Sequence, residues 1–422
     1  MNQEQFDVVV IGGGPAGATA ATLVAMAGHR VLLAEKSTEP QFKIGESLMP
    51  ATYWTFERLG ILPKMKASHF PAKHSVQFYT KTGKATSPFY FFENDPHESS
   101  QTWQVRRSEF DQMMLDNAAD KGVTVRRGAG VSKVHWQGDR ATGVSIQPAD
   151  GEPYEVACRV LVDASGQSTV VARSRGLLVN EPNLKNVAYF SHFEGALRDP
   201  GIDEGATLVL HTSDQKAWFW YIPLPDDVVS VGVVGPVSHL VEGRAGDPQQ
   251  VFEEELARCP PLVPRLAESR QTMPMRALRD FSYRSREVAG DGWVLVGDAF
   301  AFIDPIYSSG VLLALKSGEM AADAVVDGLA KGDLSAAQLG RFKDELSAGM
   351  EALRKLVYAF YDQDFSFARF LERHPGYRKH IVNLLIGNVD RPVEGLFDAM
   401  SEMIALPQSP DFDSPLVRAV PA

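Results

Sequence analysis

One stretch restricts this chain more than any other: Gly12-Gly13-Gly14-Pro15-Ala16-Gly17, set between an apolar run and an alanine-rich one. Phe6 to Ile11 reads as a strand buried on both faces, Ala16 to Gly28 as a helix ending on glycine, and Arg30 to Ala34 as a second buried strand. That is a βαβ unit, and within it the glycines have separate tasks. Gly12 permits the tight turn, Gly14 lets the backbone approach a pyrophosphate, and Gly17 allows the helix to pack closely on the strand. The helix N-terminus, with free N–H groups and the positive end of its dipole, receives the phosphates. Glu35, ending the second strand, stands where a ribose-binding acid belongs. The segment Val8 to Lys36 is therefore expected to hold a dinucleotide.

Two distant segments extend that site. Val294 to Asp298 (VLVGD) is a strand ending in Gly-Asp, suited to a ribitol hydroxyl, and Asp163-Ala-Ser-Gly166-Gln-Ser168 with Arg173 is another strand-end turn with a carboxylate. Between them Asn186 to Val234 is rich in strand formers, while Ser335 to Ile404 is mostly helical, punctuated by Pro375 and Pro392. Ser108 to Lys121 reads as a helix capped by Ser108 and stopped by Gly122. The expected class is α/β: a Rossmann-like FAD-binding domain of the GR2 type, an inserted antiparallel β-sheet substrate domain, and a C-terminal helical region. We assign 1–75, 100–175 and 285–332 to the first, 76–99 and 176–284 to the second, and 333–422 to the third.

Composition removes other classes. A net charge of −11 without long Lys or Arg runs argues against nucleic acid and against anionic membrane. No stretch approaches the roughly 20 apolar residues of a membrane span, and no signal peptide is visible. Two cysteines, Cys158 and Cys259, form neither a metal spacing nor a disulfide framework. The reading is a cytoplasmic enzyme without a metal.

The set IGGGPAG, VRRSEFD, DASGQS and LVGDAF resembles the flavoprotein superfamily of aromatic hydroxylases and geranylgeranyl reductases. Three further segments resemble the flavin-dependent halogenases within it. Gly45-Glu46-Ser47-Leu-Met-Pro50 is similar to the loop these enzymes place over the flavin. Trp218-Phe-Trp220-Tyr-Ile222-Pro223 is similar to their WxWxIP signature, and Asp304-Pro-Ile-Tyr-Ser308-Ser309-Gly310 to their flavin-and-halide loop. The resemblance implies FAD contacts at Gly12, Gly13, Gly14, Ala16, Gly17, Glu35, Glu46, Ser47, Arg107, Asp298, Gly310 and Val311, with Arg106 the alternative to Arg107. It implies halide at the amides of Ser309 and Gly310, and a bulky wall of Trp218, Trp220 and Pro223. Two plainer readings stand beside these: Ser309 as a helix cap, and the alternating tryptophans as the core face of a strand.

Lys73, in Phe70-Pro-Ala-Lys73-His-Ser-Val-Gln-Phe78, takes the position of the active lysine in phenol-type halogenases. It is either a solvated charge or, in an apolar tunnel, a donor or nucleophile toward oxidised halogen. The implied reaction uses reduced FAD, O2 and chloride or bromide to make hypohalous acid at the flavin. That acid then travels past the wall to Lys73, which directs halogenation of an electron-rich carbon. A single glycine fingerprint implies that a separate flavin reductase supplies reduced FAD. Tyr307 replaces the Glu of tryptophan halogenases, which favours a phenolic, pyrrolic or carrier-tethered acceptor over free tryptophan. Arg373, Arg378 and Lys379 form either a carrier-docking cluster or a solvated face, and the aromatic residues of Leu353 to Phe370 either a pocket lining or core. The alternative function is an FAD-dependent hydroxylase or a reductase of the geranylgeranyl type.

Overall fold

The computed structural model describes residues 4–408 except Pro182, Ala245, Asp280, Phe281 and Pro392, so the expected punctuation at Pro392 and the last fourteen positions, 409–422, lie outside the described residues. The first sheet is built on five parallel strands in the order Trp293–Leu295, Tyr154–Asp163, Glu4–Ile11, Val31–Ala34, Thr124–Arg126. Strand Glu4–Ile11 is central, and Val8, Val9 and Val10 are fully buried, as a strand covered on both faces requires. Helices Pro15–Met26, Arg107–Asp120 and Ser309–Lys331 cover it. A Cβ on Gly318 would lie 2.7 Å from the Ala16 carbonyl oxygen, so glycine is what lets the first and third of these helices touch. A hairpin, Ala129–Gln137 with Arg140–Pro148, joins this sheet through Tyr154–Asp163.

The second sheet runs Arg270–Gln271, Asn186–Glu194, Val228–Pro236, Trp218–Pro223, Thr207–His211, Ser75–Tyr79, Phe89–Tyr90, with Arg276–Arg279 also on Asn186–Glu194. Period-two alternation divides Trp218–Pro223 between two cores. Phe219 and Tyr221 pack with Val251 and Phe252 of helix Pro248–Leu256, while Trp218, Trp220 and Ile222 pack with Leu356, Val357, Ile381 and Leu384 of the C-terminal helices Lys343–Tyr361 and Arg378–Ile386. Gly232 lies opposite Trp220, and a Cβ there would sit 2.3 Å from the indole.

Two local expectations need correction. The sheet is not wholly antiparallel, because Ser75–Tyr79 pairs in parallel with Thr207–His211, having entered from a distant part of the chain. Ser108 is not a cap: the helix starts at Arg107, its N-cap position is Arg106, and no side chain caps it. Among the described residues no helix is long and apolar enough to cross a membrane.

Candidate active site

A cavity of about 630 Å³ opens where the parallel strands end, between the two sheets. Gly12, Gly14, Ala16, Glu35, Glu46, Ser47, Arg107, Asp298, Gly310 and Val311 line it. Gly12 has φ +98°, and a Cβ there would lie 2.5 Å from the Ala164 carbonyl oxygen; on Gly17 it would lie 2.0 Å from the Gly12 oxygen. A Cβ on Gly14 would meet nothing within 4 Å, so its backbone is bare toward the cavity, at the start of helix Pro15–Met26. Gly13 and Gly17 do not face the cavity. Gly13 gives its N–H to Glu35 Oε2 at 2.7 Å, and Gly17 is spent on close packing, so both shape the turn without reaching into the cavity.

Glu35 also accepts from the Ser37 amide at 2.8 Å. Burial alone would raise its pKa, but the Ser37 and Gly13 amides and nearby Lys43 hold it below the ordinary carboxylate value. Arg107 is buried, forks onto Asp111 at 2.9 and 3.0 Å, and gives a third bond to the Ile44 carbonyl at 2.6 Å, which ties down the Gly45–Pro50 loop. Arg106 turns away to Glu109 and Asp226. Burial lifts the Asp298 carboxyl to about 6 against the pull of Arg107 and Lys43. Asp163 spends both oxygens on the amides of Ser165 and Val171, so it folds its own turn. A bare glycine backbone at a helix N-terminus, an acid ending the second strand and a carboxylate at Asp298 together fit a dinucleotide.

The turn before helix Ser309–Lys331 corrects a detail. Ser308, with φ +57°, is the N-cap and Ser309 is the first helical residue; Ser308, Gly310 and Val311 line the cavity, whereas Ser309 is buried and does not. The wall is also redrawn. Trp218, Trp220 and Ile222 line the cavity, but Pro223 does not, because it ends its strand beyond the lined stretch.

Lys73 is 2% exposed, which excludes a solvated charge. Strand pairing of Ala72–Lys73 with Thr102–Trp103 and the bridge of Ser47 to Gln104 bring three chain segments together around it. Its ammonium or amine donates to Ser47 Oγ and to the Leu48 carbonyl, both at 2.9 Å, and lies over the Phe91 ring. Burial, without a counter-ion, drives its pKa down to about 7. Lys73 faces a second cavity of about 20 Å³, lined by Val76, Phe78, Phe89, Phe91 and Leu385 and large enough for one water-sized molecule. Phe70, its other expected neighbour, belongs instead to the core of the first sheet. Thr207, Ile306 and Ser308 line both cavities and so form the partition between them.

Sequence reasoning missed Thr207, Ile306 and Gln104. A glutamine between Trp103 and Val105, and a threonine opening an apolar strand, were the available signals. It also missed a buried network in which Trp218 Nε1 donates to Tyr361 Oη at 3.0 Å, while Tyr361 and Asn186 hold Asp304. Burial pushes the Asp304 carboxyl up to about 7. Tyr307, in the same loop, donates to the Leu356 carbonyl at 3.0 Å. The aromatic residues of the C-terminal helices, among them Phe360, Phe365 and Phe370, pack as core around these groups and line neither cavity. Arg373, Arg378 and Lys379 are exposed. Asp214, His239 and Glu255 lie together as metal ligands would, but Glu255 already pairs with Arg244 and Arg258, whose charges oppose a cation.

Known proteins are similar to this chain in sequence and fold over nearly its whole length. The family described as FAD binding domain matches residues 5–322. A chlorinase of 1H-pyrrole-2-carbonyl-peptidyl-carrier protein from Pseudomonas fluorescens is 28% identical over 97% of this chain and 95% of its own. A brominase of the same type of substrate from Pseudoalteromonas luteoviolacea is 32% identical over 91% of this chain and 92% of its own. The solved structure of the flavin-dependent brominase Bmp2 superposes with a TM-score of 0.85 at 30% identity, over 94% of this chain and 98% of that one.

Proposed function

The chain belongs to the FAD binding domain family and, within it, to the flavin-dependent halogenases, and from that premise we propose that it halogenates a pyrrole ring carried on a carrier protein, with Lys73 as the delivery residue. One observation carries the reading. The cavity lined by the dinucleotide-binding turn and the cavity holding a buried lysine are separate, and they share a partition of Thr207, Ile306 and Ser308. Such a plan keeps an oxygen-activating centre away from the ring that is modified. Similarity over nearly the whole length of two carrier-protein pyrrole halogenases favours that acceptor over a free phenol.

The cavity-lining residues Gly12, Gly14, Ala16, Glu35, Arg107 and Asp298 would hold FAD, with Gly13 and Gly17 shaping the turn beneath it. When bound and reduced, FAD supplies the chemistry that oxidises halide with O2 to hypohalous acid. The N-terminal amides of helix Ser309–Lys331, at Ser309 and Gly310, offer a halide partial positive charge beside the cavity. Trp218, Trp220 and Ile222 occupy the wall where an aromatic acceptor would otherwise approach. Lys73, as donor or as free amine, presents the electrophilic halogen to the ring carbon. Reduced FAD comes from a separate reductase.

The test supplies reduced FAD, O2 and chloride or bromide to the holoenzyme with pyrrolyl-loaded carrier protein, free pyrrole-2-carboxylate or a phenol panel, and reads products by mass. The reading expects halogenated pyrrole on the carrier only. Halogenated free phenol would move the acceptor class, and a hydroxylated product would favour the monooxygenase alternative.

A further inference from the structure

We infer that Asp304 is a positioning residue for the partition: held by Asn186 and Tyr361, it seats Ile306 between the two cavities and so decides whether oxidised halogen reaches Lys73 or escapes. The inference rests on the reading that halogen is oxidised in the larger cavity and used in the smaller one.

The partition loop is short, and Asp304 makes its turn. Asp304 is buried; its Oδ1 accepts the Ile306 N–H at 3.0 Å, and the Ser308 N–H closes the turn on the Pro305 carbonyl at 3.0 Å. Ile306 and Ser308 are two of the three residues that line both cavities, so the carboxyl is one hydrogen bond away from the partition itself. Ser308 holds φ +57°, a conformation that a non-glycine residue keeps only where its surroundings enforce it.

Two elements outside the loop hold the carboxyl. Asn186, buried on strand Asn186–Glu194, donates through Nδ2 to Asp304 Oδ2 at 3.1 Å. Tyr361, the last residue of helix Lys343–Tyr361, donates to the same oxygen at 3.1 Å and accepts from Trp218 Nε1 at 3.0 Å. The same helix takes a second bond from the loop, since Tyr307 donates to the Leu356 carbonyl at 3.0 Å. Ile306 therefore lies between two tethers that end on one helix, about 7.5 Å apart along its axis.

A carboxyl suits this task because it accepts at both oxygens, and here its donors come from the loop, the second sheet and the C-terminal helices. Removing one donor leaves a buried acceptor short of a partner and lets the loop sample other positions. The smaller cavity has room for one water-sized molecule, so a small displacement of Ile306 closes the way to Lys73 or opens one to solvent. Asn186 and Tyr361 line neither cavity, so any effect of theirs on the halogen travels through what they hold.

The test compares two variants of the FAD-loaded protein, Asn186→Leu and Tyr361→Phe. The first does not touch the Trp218 bond, and the second serves if the first does not fold. One readout is the ¹³C-methyl NMR spectrum of isoleucine, with Ile306 assigned by its absence in Ile306→Val. The Ile306 methyl should shift or broaden in both variants, while those of Ile61 and Ile146, in the core of the first sheet, stay in place. The other readout supplies reduced FAD, O2 and bromide with pyrrolyl carrier protein and excess monochlorodimedone in one reaction. The ratio of trapped to carrier-bound bromine should rise by about fivefold, with their sum within about twofold of the unmodified protein. An unmoved Ile306 methyl, or two products that fall together at constant ratio, would overturn the inference. If the methyl moves and the unmodified protein brominates no acceptor, the seating of the loop stands and the two-cavity reading falls.

Discussion

The pyrophosphate turn and the lysine cavity are built by opposite means. The turn uses one contiguous segment, and its geometry is backbone: Gly12 at φ +98°, Gly17 against the Gly12 oxygen, and Gly14 bare. The lysine site uses side chains from residues 47, 73, 104, 207 and 306, which come from the second sheet, the short pairing of Ala72–Lys73 with Thr102–Trp103, and loops. A backbone site needs glycines at fixed spacing, so it can be read along the chain. A side-chain site needs only that distant residues meet, so it cannot.

The sharpest way to break the comparison is at the turn. Gly17→Val would drive a side chain into the Gly12 carbonyl, and FAD affinity should fall by at least about 100-fold. Flavin fluorescence on titration checks it, and retained binding would mean that the turn tolerates what its geometry forbids.

At the lysine cavity the first change expected is in stability, not folding competence. The folded protein releases the Lys73 proton near pH 7, whereas the unfolded chain keeps it up to the ordinary lysine value of 10.5. The unfolded state thus binds more protons between those values, so wild-type stability rises with pH across that window. Lys73→Met removes the buried charge. Its advantage in Tm over the wild type should be largest at pH 7 and below and shrink as pH approaches 10.5, at about 1 °C per kcal/mol for a chain of this size. Thermal melts across pH would show it, and a gap that widens with pH would refute the buried-amine account.

Between the two regions lies the tryptophan wall. Trp218→Phe deletes the bond to Tyr361 and leaves Asp304 with a mobile partner, costing about 1 kcal/mol in denaturant unfolding. The smallest effect belongs to Pro223, which lines neither cavity; Pro223→Ala should keep stability within about 0.5 kcal/mol and product formation within about twofold. A large loss there would restore it to the wall.

The same contrast explains what was legible. The βαβ unit, the strand at Val294 and the helix after Ser309 were readable because buried parallel strands are apolar runs bounded by glycine. The parallel pairing of Ser75–Tyr79 with Thr207–His211 was not, since alternation specifies a face and not a neighbour. Lys73 was found only through resemblance, because a lysine gives no local sign of being buried. Gln104 and Thr207 gave only weak local signs, since their partners lie up to 160 positions away. The displacement of Ser309 by Ser308 at the helix cap is a one-residue shift, within the ordinary uncertainty of helix ends.

The central claim, that the halogen is made in one cavity and used in another, is tested most directly with Lys73→Met holoenzyme. Reduced FAD, O2 and bromide are supplied with the pyrrolyl carrier protein, and monochlorodimedone is added in parallel as a trap for hypobromous acid. The account predicts that the trap is still brominated while product on the carrier falls by about 1000-fold. Brominated pyrrole at the wild-type rate would contradict it.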